Sequence, residues 1–187
     1  GQNVSAVNSG DGTWTVADGV LTSLVEGVYD VQVTAVDAAG NIGSDVTTNE
    51  LEIDVSAPTV SVDSLATNDV TPTLTGSVND NSAVVTVSVG GQSGQALNNQ
   101  DGSWSFEVPV GLSDGVYDVS VTAVDASSNS VNDSTTNELT IDTTAPVVGI
   151  DSLITNDTTP GLMGTVDDSG ASVLVTVDGQ TLAATNN

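Results

Sequence analysis

Apart from two tyrosines, every side chain here that could gain or lose a proton is a carboxylic acid. The 187 residues hold 25 acids, twenty Asp and five Glu, with no Lys, Arg, His or Cys and a formal charge of −25. A Ser–His triad, a catalytic thiolate, a Schiff-base lysine and a His/Cys zinc site are therefore excluded. A glycosidase-type carboxylate pair stays conceivable. No acidic pair stands apart from the repeated background, however, so the chain is not expected to be an enzyme. It has no cation to clamp a phosphate, and so acidic a polypeptide repels nucleic acid and anionic lipid. No apolar run approaches the roughly 18 residues of a membrane span, so membrane insertion is not expected. What remains is hard-oxygen chemistry. Carboxylate, amide and backbone oxygens suit Ca²⁺, which takes 6–8 of them in flexible geometry, better than the stricter octahedral Mg²⁺.

Internal repetition says which elements must position those oxygens. DGTWTV (11–16) returns as DGSWSF (101–106), and GVYDVQVTAVDAAGN (27–41) as GVYDVSVTAVDASSN (115–129). TTNELEIDVSAP (47–58) returns as TTNELTIDTTAP (135–146), and DSLATNDVTPTLTGSV (63–78) as DSLITNDTTPGLMGTV (151–166). The offset is 88 residues from Tyr29/Tyr117 onward and 90 before it. Residues 1–9 match 179–187, so the chain begins and ends at one phase of the repeat. With Pro58 and Pro146 in linkers, residues 1–54 form the back half of one module, 55–142 a whole module, and 143–187 the front half of another. The chain does not open on Met and has no signal-peptide pattern, so it reads as an excised fragment. Its halves could complement one another between molecules as a homopolymer, or it could be a piece of a longer array.

Within 55–142 the alternation has period two and helical periodicity is absent. Val60 and Val62 point inward in the first strand; Leu74, Gly76 and Val78 in the second; Val85, Val87 and Val89 in the third. A Gly90-Gly91 turn leads to a weak strand near 93–98, followed by Trp104, Phe106 and Val108. The longest strand buries Tyr117, Val119, Val121 and Ala123, and the last buries Leu139 and Ile141. About seven short strands predict an all-β class, with tandem immunoglobulin-like β-sandwich modules stacked end to end. A β-barrel is the alternative. Asp114-Gly115-Val116-Tyr117 fits a tyrosine corner, with Val119 where antibody domains place a Cys. Hydrophobic content of 37% allows such cores without disulfides or salt bridges.

The run DG(T/S)W…GVYDV.VTAVDA..N…IDTTAP resembles the bacterial Ig-like repeats of giant RTX- and Bap-type surface adhesins across nearly the whole chain. The resemblance implies an extracellular stalk of many repeats, exported from a Gram-negative cell, with calcium at the junctions between modules. The glycine-rich RTX nonapeptide is absent.

With Ig-type strand order, the incoming linker and the B–C and F–G loops share one pole of a module. The A–B and E–F loops and the outgoing linker share the other. End-to-end stacking is then expected to gather Asp54, Asn79, Asp80, Asp125 and Asn129 with Glu26 at the first junction. At the second it gathers Asp142, Asp167 and Asp168 with Asn68, Asp69 and Asp114. The same residue types also form turns by local hydrogen bonding, and surface acid solubilises a protein in salt. Asp30, Asp63, Asp118 and Asp151 are expected on solvated strand faces. Extracellular calcium modules have Kd values near ~0.1–1 mM, so 10 mM Ca²⁺ would stabilise each site by roughly 1.4–2.7 kcal/mol. The expected role is a calcium-stiffened adhesin stalk whose partners are neighbouring repeats of the same polypeptide, calcium ions, and a homopolymer or biofilm matrix. The alternative is a repeat of a matrix, sheath or S-layer filament. A carbohydrate-binding module fits less well, because the aromatics point inward and leave no sugar platform.

Overall fold

The computed structural model describes residues 1–186. Every regular element among them is a strand. The first segment carries β1 (Val7–Asn8), β2 (Trp14–Thr15), β3 (Gly27–Tyr29), β4 (Thr34–Val36), β5 (Ile42–Ser44) and β6 (Leu51–Ile53). The middle module carries β7 (Leu65–Thr67), β8 (Thr73–Ser77), β9 (Val84–Val89), β10 (Gln92–Gln95), β11 (Leu97–Asn98) and β12 (Ser103–Glu107). It continues through β13 (Gly115–Tyr117), β14 (Val119–Val124), β15 (Ser130–Asn132) and β16 (Leu139–Ile141). The last segment carries β17 (Val148–Ile150), β18 (Gly164–Val166), β19 (Val173–Val177) and β20 (Gln180–Ala184).

The middle module is an Ig-like β-sandwich. One face has the order β10-β9-β14-β15 and the other β11-β12-β8, extended at its edge by the Val60–Val78 bridge. A third set, β13-β16-β7, includes the parallel pairing of β16 with β7. Burial follows the alternation of the sequence: β9 reads exposed-buried three times over, placing Val85, Val87 and Val89 inside. Leu74, Val78, Trp104, Val108, Val119, Val121, Leu139 and Ile141 complete the fully buried centre. Val60, Val62 and Tyr117 pack against it from its margin. The β9–β10 hairpin turns through Gly90 (φ 56°) and Gly91 (φ 77°), the two left-handed residues that a tight primed turn requires. Gly76 is there for space. A Cβ on it would lie 2.0 Å from the Ser61 carbonyl and 2.7 Å from Trp104 Nε1, which itself donates to that carbonyl (2.9 Å).

The expected longest strand is two strands. It breaks at Asp118, where β13 leaves its partner β16 and β14 begins pairing with β9 and β15. The expected last strand is likewise preceded by one the alternation did not reveal, Ser130–Asn132, so the module has ten strand segments in place of about seven. The tyrosine corner is present twice. Tyr117 donates its hydroxyl to the Ser113 carbonyl and Tyr29 to that of Val25, each at 2.8 Å.

The outer segments repeat parts of this pattern. β19 pairs with β20 in the register of β9 with β10 moved on by 88 residues, and β3 pairs with β6 as β13 does with β16. Their apolar positions are far more open. Trp14 is 48% exposed where its counterpart Trp104 is 0%.

Candidate functional site at the module junctions

The first junction is built from the linker outward. Ser56 donates its hydroxyl to Glu26 Oε2 (2.6 Å) and its N–H to Asp54 Oδ1 (3.0 Å), tying the turn before Tyr29 to the linker. Thr59 N–H donates to Asn79 Oδ1 (2.7 Å), and Asn79 N–H returns to the Thr59 carbonyl (3.2 Å). From the turn after β14, Asn129 Nδ2 donates to the Asp54 carbonyl (3.1 Å) and to Asp125 Oδ2 (2.9 Å). Asn129 N–H donates to Asp125 Oδ1 (2.8 Å). Asp54, Asp125 and Asn129, all half-buried, thus form one connected polar chain. Asp80 turns back into its own loop, accepting the N–H (2.8 Å) and hydroxyl (2.7 Å) of Ser82.

The second junction repeats the bonds of the linker itself. Asp114, equivalent to Glu26, accepts the Thr143 hydroxyl (2.7 Å) and N–H (3.1 Å) and the Thr144 hydroxyl (3.0 Å). Thr144 N–H donates to Asp142 Oδ1 (3.0 Å), and Val147 N–H to Asp167 Oδ1 (2.7 Å). Asp168 Oδ1 accepts Gly170 N–H (2.7 Å) within its own turn. Asp69 Oδ1 accepts Thr71 N–H (2.9 Å) in the loop between β7 and β8, which also carries Asn68.

These bonds explain the local electrostatics. The Ser82 hydroxyl and N–H hold the Asp80 carboxyl below its ordinary value, against slight desolvation. Thr143, hydroxyl first and then N–H, does the same for Asp114, with Thr144 adding to it. In the first segment the Asn41 side chain and then its N–H lower Asp37, at the position equivalent to Asp125. Each carboxylate is stabilised in its charged form by neutral donors, the only donors that this composition offers.

The donor set is all hard oxygen and suits Ca²⁺. Among the described residues, however, no three acids converge closely enough to share an ion. In these side-chain positions an ion would draw on at most two carboxylates, completed by amide and backbone oxygens and water. Asp54, Asp125 and Asn129, with Glu26 joined to Asp54 through Ser56, form the tightest such group. Asp69, Asn68, Asp80 and Asp168 lie in separate turns.

A second constellation was not foreseen. Asp118 and Asp30, expected on solvated faces, hold the backbone where β13 gives way to β14 and where β3 ends. Asp118 Oδ1 accepts Asn137 N–H and Asp30 Oδ1 accepts Asn49 N–H, each at 2.8 Å, with both asparagines left-handed (φ 64° and 66°). This turns the next residue inward. Glu138, 4% exposed, accepts Val119 N–H on Oε2 (2.9 Å), while its Oε1 is buried without a partner. Glu50 likewise accepts Val31 N–H (2.9 Å), the main cause of its lowered carboxyl pKa. The signal in the sequence was the identical TTNEL at 47–51 and 135–139.

Residues 56–143 match the family described as bacterial Ig-like domain. No curated protein matches the chain.

Proposed function

We propose that this chain is a structural spacer of an extracellular bacterial surface protein, an adhesin stalk whose Ig-like modules stand in series. The observation that carries this reading is the recurrence of the linker bonds at an 88-residue interval. Ser56–Glu26 answers to Thr144–Asp114, and Thr59–Asn79 to Val147–Asp167. Bonds that tie each linker to the loops on both sides fix the angle between neighbours, which a spacer needs and an isolated binding domain does not. The match of residues 56–143 to a bacterial Ig-like domain supports the same role.

Calcium belongs to the proposal. Glu26, Asp54, Asp125 and Asn129 would hold it at the first junction; Asp114 and Asp142 would do so at the second. The ion would supply the positive charge that this polypeptide lacks and bridge groups now joined only by hydrogen bonds from neutral donors. Calcium titration calorimetry tests this on the intact chain and on E26Q/D54N/D125N. The intact chain is expected to bind with Kd near ~0.1–1 mM, with the first site lost in the variant. No heat, and no rise in melting temperature in 10 mM Ca²⁺, would remove calcium from the reading and leave the spacer.

A further inference from the structure

Midway between its poles, the middle module has a gap in its backbone ladder. The pairing of β13 with β16 ends at Tyr117–Leu139, and the pairing of β14 with β15 resumes at Thr122–Asn132. Both runs of chain change sheets across this gap, between β13-β16-β7 and β10-β9-β14-β15. One backbone bond spans it, from Asp133 N–H to the Val121 carbonyl (2.8 Å). Carboxylates stand in for part of the rest, Asp118 accepting Asn137 N–H and Glu138 accepting Val119 N–H.

One oxygen in the gap is left over. Glu138 is 4% exposed, and its Oε1 is buried without a partner. A buried carboxylate is costly unless its oxygens are paired. Lys, Arg or His would usually do this, and the sequence has none of them. Near it in the chain, half-buried Asp133 turns Oδ2 to the Thr135 N–H (3.0 Å) and hydroxyl, which leaves its Oδ1. Asp45, Thr47 and Glu50 are the same three residues 88 positions earlier. The Glu50 carboxyl is lowered first by the Val31 N–H and next by the Thr47 hydroxyl, and it feels the Asp45 charge, which acts to raise it. Asp45 and Thr47 in turn line, with Asp30 and Gln32, a concavity of about 460 Å³. The glutamate therefore faces the acid and the hydroxyl that line this hollow.

We infer that a divalent cation of the calcium kind binds inside the module at this strand crossing, between Glu138 and Asp133, and between Glu50 and Asp45 in the first segment. Two carboxylates balance one divalent charge. The Thr135 hydroxyl, backbone carbonyls and water complete an all-oxygen set, whose loose geometry suits Ca²⁺ better than Mg²⁺. Asp118 stands outside the set, occupied with Asn137 N–H. The site lies apart from the linkers, so it neither needs nor replaces an ion at the junctions. Its effect is on the module itself, pinning two runs of chain together where their backbone bonds lapse.

The test uses the full chain with both junctions disabled, E26Q/D54N/D114N/D125N/D142N. Its melting temperature is expected to rise from EDTA to about 10 mM Ca²⁺, with calcium uptake seen by calorimetry. Adding D45N and D133N together, which keeps acceptors for Thr47 and Thr135, should weaken that uptake about tenfold or more and remove most of the rise. Adding E50Q and E138Q should do the same, with emission from buried Trp104 in EDTA reporting that the module is folded. Crystals of the unaltered chain soaked in Tb³⁺ should show an anomalous peak between Asp133 and Glu138, separate from any peak at a linker. No calcium-dependent rise in the junction-disabled chain, an equal rise after either pair of substitutions, or water alone beside Glu138 Oε1 in the soaked crystal would each overturn the inference.

Discussion

Gly76 and Trp104 show how little freedom single positions have in so small a core. The indole lies against the Gly76 backbone and donates to the Ser61 carbonyl, so that one glycine sets how closely residues 60–62 approach β12 across β8. Gly76→Ala is expected to destabilise the middle module by about 3 kcal/mol, read as a lower denaturant midpoint with unchanged slope. Glu138 is the other demanding residue. Its carboxylate satisfies the Val119 N–H where that strand changes partners, and no cation in the sequence can offset its burial. Glu138→Ala should cost about 1–3 kcal/mol by orphaning a buried N–H. Glu138→Gln keeps an acceptor for that N–H without the buried charge, so it should cost less. Thermal unfolding of the two variants side by side checks the order.

At the scale of elements, the strand alternation was legible and the strand breaks were not. Val85, Val87 and Val89 announce a half-buried strand because successive side chains must face opposite ways. The tyrosine corner was legible for a similar reason, since its bond joins residues only four apart. The break at Asp118 has no such local mark. It depends on which strand lies alongside, and the residues that absorb it, Asn137 and Glu138, resemble an ordinary polar loop. The junctions were partly legible. The bonded chain of Asp54, Asp125 and Asn129 joins residues placed together in the sequence reading, whereas Asp80 and Asp168 spend their carboxylates on their own turns.

Two predictions belong to these elements. Asn129→Ala removes the bonds to Asp54 and Asp125 and should cost about 1 kcal/mol, seen in the unfolding of the middle module. The second concerns acid. Asp37, Asp80 and Asp114 have carboxyls lowered by hydrogen bonds in the folded state. Their contribution is complete above the unfolded carboxylate value near ~4 and is lost as pH falls through the lower folded values. Partial neutralisation of the whole chain acts earlier and in the opposite sense, by relieving self-repulsion. Denaturant midpoints should therefore peak near about pH 4–5 and fall steeply below that range, with added salt flattening the rise but not the fall.

For the whole molecule, the governing fact is 25 acids with no side-chain cation, in modules that repeat every 88 residues. A series of like-charged domains extends by repulsion, but its bending is controlled where linkers meet loops. Hydrogen bonds from neutral donors hold those points here, and the proposed calcium would stiffen them. Small-angle scattering of the chain measures this directly in EDTA and in 10 mM Ca²⁺. Stiffened junctions require a greater maximum dimension and a narrower cross-section-dominated profile in calcium; superimposable curves in the two buffers would contradict them.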